Sequence, residues 1–173
     1  MSDKSYITDP EEWLQDITKH HEYVCIVIFR GSWCKQDQYY LTKLGEMQLE
    51  AMKKEGVYLI AWTSEGEEEA RRADLGWGLT SILGYDMVIG DRSCALAEWL
   101  KEDQLLPKLI KNEQNGDIQP AIVFFAHHGN FVFHWEAASA TIKSSTTFNG
   151  VTAPPIPSGK FFIVIHLQTL IKH

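Results

Sequence analysis

Basic residues are scarce in this sequence. Its 16 lysines and arginines stand against 23 aspartates and glutamates, which gives a formal net charge of −7. Proteins that bind a phosphate backbone or an anionic lipid surface depend on clustered positive charge. The composition therefore argues against nucleic acid and membrane surfaces as partners, and the acidic run 65–69 is predicted to form an exposed helix face.

Long apolar runs are missing as well. No stretch approaches the roughly 20 consecutive apolar residues that a membrane-spanning helix needs, and residues 1–6 contain no apolar segment typical of secretion signals. The three cysteines, Cys25, Cys34 and Cys94, are too few and odd in number for a secreted disulfide framework. We therefore expect a cytoplasmic protein with reduced thiols.

The patterns that are present predict one α/β domain over residues 1–173, because 45% hydrophobic residues are enough to bury a core. They predict, in order, a helix over 10–20, a strand over 23–29, a helix over 34–54, a strand over 57–62, a helix over 65–73, a strand over 86–91, a helix around 94–100, strands over 120–126 and 131–135, and a last helix over 160–171. The segments 101–117 and 137–157 are predicted to be loops. This alternation is typical of a sandwich with a mixed central sheet flanked by helices.

Cys34 is the strongest candidate for a reactive residue. It follows a predicted buried strand and opens the next helix, where unpaired N–H groups and the helix dipole favour an anion. Arg30 and Lys35 are nearby cations, so we expect a lowered thiol pKa, opposed by Asp37 if its carboxylate faces the sulfur. The alternative is that Cys34 is an ordinary small residue at a helix start.

Residues 29–34, which read Phe-Arg-Gly-Ser-Trp-Cys, resemble the Arg-Gly-x-Trp-Cys-Pro-x-Cys segment of peroxiredoxin-like proteins in the alkyl hydroperoxide reductase/thiol-specific antioxidant superfamily. The likeness extends over most of the chain from about Trp13 onward, and it implies a thioredoxin-like fold. It also implies an antioxidant oxidoreductase in which Cys34 attacks a peroxide or a disulfide, with Arg30 and Trp33 as site residues. No cofactor is implied, and the reductant would be a small thiol or a thioredoxin-type protein.

The chain departs from the family pattern at positions that would support the cysteine. Asp37 stands where the pattern has its second cysteine, so a local dithiol is excluded. Val27 and Gly31 stand where peroxiredoxins have a proline and a threonine that act on the peroxide. We therefore expect a one-cysteine mechanism without the fast peroxidase chemistry of true peroxiredoxins.

Two further site residues each have two interpretations. Pro120 resembles the cis-proline that thioredoxin-fold reductases pack against their active cysteine, but a trans proline at the start of a strand is an equal alternative. Cys94 is either a remote resolving cysteine, as in some peroxiredoxins, or a buried helix residue. Cys25 lies inside a predicted strand and is interpreted as core packing.

A second function stays open beside the redox one. The protein would then be a redox-inactive or sensing module that binds a partner through the surface around Trp33, with Trp77 and Tyr85 completing an apolar pocket. His127 and His128 lack the third ligand that zinc sites need, so no metal site is expected. A homodimer is compatible with either function.

Overall fold

The computed structural model of this protein describes residues 7–107, 109, 111, 118–136, 146–148 and 151–153. This part contains the helices α1 (Pro10–His20), α2 (Lys35–Lys54), α3 (Glu67–Trp77) and α4 (Ala95–Glu102). It also contains the strands β1 (Tyr23–Ile28), β2 (Val57–Thr63), β3 (Met87–Gly90), β4 (Ala121–Ala126), β5 (Asn130–Glu136), β6 (Thr146–Phe148) and β7 (Val151–Ala153). A short 3-10 turn, His127–Gly129, joins β4 to β5.

Local sequence signals explain where the first two helices begin and end. The Asp9 carboxylate accepts a hydrogen bond from the backbone N–H of Glu12 at 3.0 Å, and Pro10 occupies the first turn of α1. Both features are typical of helix starts. Gly56 follows α2 with a φ of +74°, a left-handed conformation that glycine adopts without steric cost. The chain therefore leaves α2 in a tight turn and enters β2 directly.

Five strands form one mixed sheet in the order β3-β2-β1-β4-β5. β1, β2 and β3 are parallel, whereas β4 pairs antiparallel with β1 and β5 antiparallel with β4. Ile28, at the end of β1, pairs with Trp62 on β2 and with Ala121 at the start of β4. The ends of β1 and β2 and the start of β4 therefore lie together, at a boundary that we call the carboxyl edge.

Helices cover both faces of this sheet. Successive residues of a strand point to opposite faces, so β1 contributes to two hydrophobic cores. One core includes Cys25, Val27 and Phe29 together with Leu41 and Leu44 of α2 and Ala73 of α3. The other includes Val24, Ile26 and Ile28 together with Leu14 of α1 and Leu96 and Leu100 of α4. α2 and α3 thus cover one face, and α1 and α4 cover the other.

The predicted α/β class, with its mixed sheet and flanking helices, is confirmed, but two segments differ from the prediction. α3 begins at Glu67 and continues to Trp77, where Gly78 ends it with a φ of +66°. The segment 137–157, predicted as a loop, contains the antiparallel pair β6 and β7, whose threonine and valine residues favour strands. The predicted last helix lies outside the described residues. Among the described helices, none has the length and apolar content needed to cross a bilayer.

Candidate functional site

Cys34 lies at the carboxyl edge, in the turn between β1 and α2. The backbone N–H of Phe29 still donates to the Trp62 carbonyl at 2.9 Å, after which the chain leaves the sheet. The Cys34 N–H donates to the Gly31 carbonyl at 3.0 Å, and the Cys34 carbonyl accepts the N–H of Gln38 at 3.0 Å. Cys34 is therefore the residue from which α2 starts, as the sequence predicts.

The surroundings of the Cys34 thiol contain opposing influences. Cys34 is only 3% exposed, and this burial raises the pKa of its thiol above the ordinary value. The backbone N–H groups of Asp37 and Gln36 and the charge of Arg30 lower the pKa, whereas the Asp37 carboxylate raises it. Burial is the largest influence, so the expectation of a lowered pKa is wrong.

Arg30 and Asp37 form a buried ion pair beside this thiol. The Arg30 Nη2 lies 2.8 Å from Asp37 Oδ1, its Nε lies 3.2 Å from both carboxylate oxygens, and its backbone N–H donates to Oδ2 at 2.6 Å. Arg30 Nη2 also donates to the Gln36 side-chain oxygen at 3.1 Å. The guanidinium charge is therefore largely compensated by Asp37, which limits what Arg30 contributes to a thiolate.

Glu65 is a site residue that the sequence interpretation missed. The sequence predicts that it lies on an exposed helix face, but in the structure it lies before α3, in the loop that follows β2. There its carboxylate accepts hydrogen bonds from both the N–H and the hydroxyl of Ser32. The available signal was the parallel order of two buried strands, because the loops that follow neighbouring parallel strands meet at the same edge of a sheet.

Trp33 lies on the outside of the same turn and is 56% exposed. The predicted apolar pocket around it does not form with Trp77 and Tyr85. The Trp77 ring packs against Phe29 at a centroid distance of 5.7 Å, and the buried Tyr85 hydroxyl donates to the Leu41 carbonyl at 2.9 Å. Both aromatic side chains therefore support the core below α2, and Trp33 is a separate surface feature.

Pro120 lies buried at the carboxyl edge, one residue before Ala121, which pairs with Ile28 of β1. The described residues contain no cis peptide bond, so the bond before Pro120 is trans. Of the two alternatives, the structure thus has the trans proline at the start of a strand. The proline is near the end of β1, but it does not have the conformation of the family's cis-proline.

Cys94 and Cys34 are on different sides of the sheet. Cys94 precedes α4, which covers the face opposite α2, and its Sγ donates to the Arg92 carbonyl at 3.9 Å. Burial raises its pKa, although the charge of Lys111 acts in the lowering direction. Cys25 is fully buried in β1, and burial raises its pKa to about 12. All three cysteines are free thiols.

Other types of site are not evident in the described part of the chain. No group of three or more histidine, cysteine, aspartate or glutamate side chains there is arranged to hold a metal ion. A cleft of about 260 Å³ lies on the outer surface of α3, and Glu67, Glu68, Arg71, Arg72 and Leu75 line it. Cys34 does not line this cleft.

Comparison with known proteins gives matches in fold. No protein-family model and no curated protein matches the sequence. Reduced Prx3 of Vibrio vulnificus in complex with hydrogen peroxide is similar over 92% of this chain and 86% of that chain, with 12% identity and a TM-score of 0.62. A cysteine-to-serine mutant of peroxiredoxin 6 of Arenicola marina is similar over 75% of this chain and 58% of that chain, with 12% identity and a TM-score of 0.57. Enterococcus faecalis AhpC is similar over 69% of this chain and 66% of that chain, with 9% identity and a TM-score of 0.57. The chain spans less than two thirds of these last two proteins, and at such identities the likeness is one of fold.

Proposed function

We propose that this protein, which has a peroxiredoxin-like thioredoxin fold, is a thiol-dependent oxidoreductase in which Cys34 is the nucleophile toward a peroxide or a disulfide. The observation that carries the proposal is the place of Cys34 at the start of α2, where its carbonyl accepts the N–H of Gln38 and where the backbone N–H groups of Asp37 and Gln36 lower the pKa of its thiol. Such donors at a helix start stabilise a thiolate, which is the form of cysteine that attacks.

The other two thiols are less suited to this role. Cys25 keeps its proton because it is fully buried among apolar residues. Cys94 uses its own proton in the hydrogen bond to the Arg92 carbonyl, and the carboxylates of Asp91 and Glu98 oppose a negative charge on it. Cys34 is therefore the thiol with the best support for ionisation.

The proposed reaction with a peroxide breaks its O–O bond. The Cys34 thiolate attacks one oxygen and is oxidised to a sulfenic acid, while the other oxygen leaves and takes up a proton as an alcohol. A first external thiol displaces water from the sulfenic acid and forms a mixed disulfide, which a second external thiol reduces. One peroxide and two thiols are thus converted to one alcohol, one water and one disulfide.

The reductant must come from outside the chain because Asp37 occupies the place of a local second cysteine. A small thiol or a thioredoxin-type protein supplies the required chemistry, and both are available in the reducing cytoplasm in which we place this protein. The exposed Trp33 side chain offers a protein reductant an apolar contact beside the cysteine.

The burial of Cys34 sets the expected rate. A raised thiol pKa leaves only a small fraction of thiolate at neutral pH, and a buried sulfur reacts only when the surrounding turn moves. Val27 is buried in the core and Gly31 has no side-chain donor, so neither activates a bound peroxide. We therefore expect turnover that is slow and that rises with pH.

Peptide mapping after brief hydrogen peroxide treatment tests the proposal. Sulfenic acid, trapped with dimedone, should form first at Cys34, and peroxide consumption should require added glutathione or thioredoxin. The Cys34→Ser variant is the control and should consume no peroxide above background. Trapping that occurs first at Cys94, or turnover that survives in the control, would contradict the assignment.

A binding or sensing module is the second candidate. The observation that favours it is the Arg30–Asp37 ion pair, because an Arg30 charge that is compensated by Asp37 contributes less to stabilising a Cys34 thiolate. Under this alternative Cys34 stays reduced, or is oxidised without turnover, and the surface around Trp33 binds a partner. Oxidation of Cys34 without any thiol-dependent peroxide consumption would select this candidate over the oxidoreductase.

A further inference from the structure

Glu65 contacts the turn before Cys34 from a distant part of the sequence. Its Oε2 accepts a hydrogen bond from the Ser32 backbone N–H at 2.5 Å, and its Oε1 accepts one from the Ser32 hydroxyl at 3.2 Å. The carboxylate also lies against Gly31, where an added β-carbon would come within 2.7 Å of Glu65 Cδ. One carboxylate therefore binds both hydrogen-bond donors of Ser32 and packs against Gly31.

Glu65 is itself held by the end of β2. Its backbone N–H donates to Thr63 Oγ1 at 3.3 Å, and that buried hydroxyl donates to the Arg30 carbonyl at 3.3 Å. Two contacts thus join this region to the turn after β1. Thr63, at the end of β2, bonds to Arg30, and the Glu65 carboxylate, in the following loop, bonds to Ser32. These bonds connect the Cys34 turn to the sheet beside it.

The position of Ser32 makes this contact relevant to the thiol. Ser32 lies inside the turn that the Cys34 N–H closes with the Gly31 carbonyl, so movement of Ser32 displaces the backbone of Cys34. In the closed turn the Cys34 residue is almost fully buried. A reactant reaches the sulfur only after this turn has moved.

The geometry points to Glu65 as a positioning residue that holds the turn 31–34 closed through Ser32 and thereby limits access to Cys34. Hydrogen bonds to a carboxylate are stronger than those between neutral groups, so two of them favour the closed turn substantially. Burial is the largest influence on the Cys34 pKa, and Arg30, Gln36 and Asp37 are the groups that shift it further, so Glu65 acts on access to the sulfur and its charge does not act directly on the ionisation of the thiol. Its importance for turnover rests on the proposed function.

The rate of Cys34 alkylation by iodoacetamide, measured against pH, separates these two effects. The midpoint of the curve reports the thiol pKa, and the plateau at high pH reports access to the thiolate. Glu65→Gln removes the charge and one acceptor oxygen, and we expect it to raise the plateau about tenfold, a change of the size that a charged hydrogen bond supplies. The midpoint should not rise, because Glu65 is not among the groups that shift the thiol pKa and a more open turn only reduces the burial that raises it.

Glu68→Gln is the matched control, because it removes the same charge from an exposed residue of α3. It should change neither the plateau nor the midpoint. Ser32→Ala removes only the hydroxyl donor and should raise the plateau about two- to threefold, since one hydrogen bond of the pair remains. This milder variant tests the contact even if Glu65→Gln folds poorly.

A plateau in Ser32→Ala and Glu65→Gln equal to that of the wild type would overturn the inference. Hydrogen exchange gives a second readout, because the Ser32 amide should exchange faster in Glu65→Gln while β1 and β2 keep their protection. Equal loss of protection in both strands would mean general destabilisation and would also overturn it.

The alkylation experiment uses no peroxide, so it can fail independently of the proposed function. A raised plateau together with a wild type that consumes no peroxide would uphold the role of Glu65 and refute the oxidoreductase. Thiol-dependent turnover through Cys34 together with an unchanged plateau would uphold the oxidoreductase and refute the role of Glu65.

Discussion

The backbone N–H of Asp37 lowers the pKa of the Cys34 thiol, whereas the carboxylate of the same residue raises it. The side chain is turned inward and is fully buried in its ion pair with Arg30. Asp37 thus replaces the second cysteine of the family pattern with a group that anchors the start of α2. The residue links the stability of this turn to the ionisation of the thiol.

Replacing Asp37 with Asn should lower the Cys34 pKa. The substitution removes the opposing carboxylate charge and also leaves the Arg30 guanidinium uncompensated, and both changes favour the thiolate. It should cost roughly 3 to 5 kcal/mol of folding free energy, the usual effect of breaking a buried ion pair. The midpoint of iodoacetamide alkylation against pH and a urea unfolding curve measure the two effects.

Glu46→Gln is the control for this variant. Glu46 belongs to the exposed Lys43–Glu46 pair of α2, with 2.6 Å between Nζ and Oε2, so its loss should change stability by less than about 1 kcal/mol. The Cys34 midpoint should be the same as in the wild type. An Asp37→Asn midpoint at or above the wild-type value would refute the electrostatic role of Asp37.

Replacing Asp37 with Cys should create an internal disulfide with Cys34. Residues 34 and 37 are three positions apart at the start of α2 and therefore lie about one helical turn from each other, so a thiol on residue 37 starts close to the Cys34 sulfur. The wild type has three free thiols, and the variant adds one. Mild oxidation should leave two free thiols in the variant, as counted with Ellman's reagent, and reduction should restore the other two.

Tyr39→Cys adds a thiol to the same helix at an exposed position five residues after Cys34, which lies on a different helix face from Cys34. This control should retain all of its free thiols under the same mild oxidation. If the Asp37→Cys variant also retained all of them, residues 34 and 37 would not have the geometry of a thioredoxin-type dithiol.

Cys94→Ser should leave the oxidation products of Cys34 unchanged. The two cysteines belong to turns that lead into helices on opposite faces of the sheet, so an intramolecular disulfide would require large rearrangement. Mass mapping of the oxidised wild type under non-reducing conditions should show no linked peptide pair. A Cys34–Cys94 peptide that disappears in Cys94→Ser would instead identify Cys94 as a remote resolving cysteine.

The framework of this fold could be predicted from the sequence because its signals are local. A strand such as β1, apolar on both faces, needs helices on both sides of the sheet, and the two cores provide them. Asp9 and Pro10 mark the start of α1 by capping chemistry that involves only neighbouring residues. The same local argument placed Cys34 at the start of α2.

The chemical state of the site could not be predicted in the same way. The position of Cys34 at a helix start favours a thiolate, but burial by the folded turn outweighs it, and burial depends on the whole surrounding structure. Arg30 seemed available to the thiol because the inward direction of Asp37 is not visible in the sequence. In the sequence Glu65 reads only as part of an acidic run, because its contact with Ser32 joins residues 33 positions apart.

Alkaline pH should destabilise the protein, in part through Cys25. Its folded-state pKa of about 12 exceeds that of an unfolded thiol, so above roughly pH 8.5 the unfolded chain loses this proton while the folded chain keeps it. The stabilisation is thus complete below that pH and is lost as the pH rises toward 12. The free energy of unfolding should fall by up to about 1.4 kcal/mol per pH unit because of this group alone.

Urea unfolding of Cys25→Ala between pH 7 and 10.5 measures this contribution. At pH 7 the variant should be less stable by about 1 kcal/mol because it has lost buried side-chain volume, but its stability should fall less steeply above pH 8.5. The two curves should therefore converge as the pH rises and cross before pH 10.5, because a loss of up to about 1.4 kcal/mol per pH unit in the wild type exceeds the initial difference of about 1 kcal/mol. Val27→Ala, on the same face of β1, is the control, because it also creates a cavity but removes no titratable group, so its slope should equal that of the wild type. Equal slopes in Cys25→Ala and the wild type would show that the Cys25 thiol ionises at the same pH in the folded and unfolded chains, contrary to its complete burial in β1.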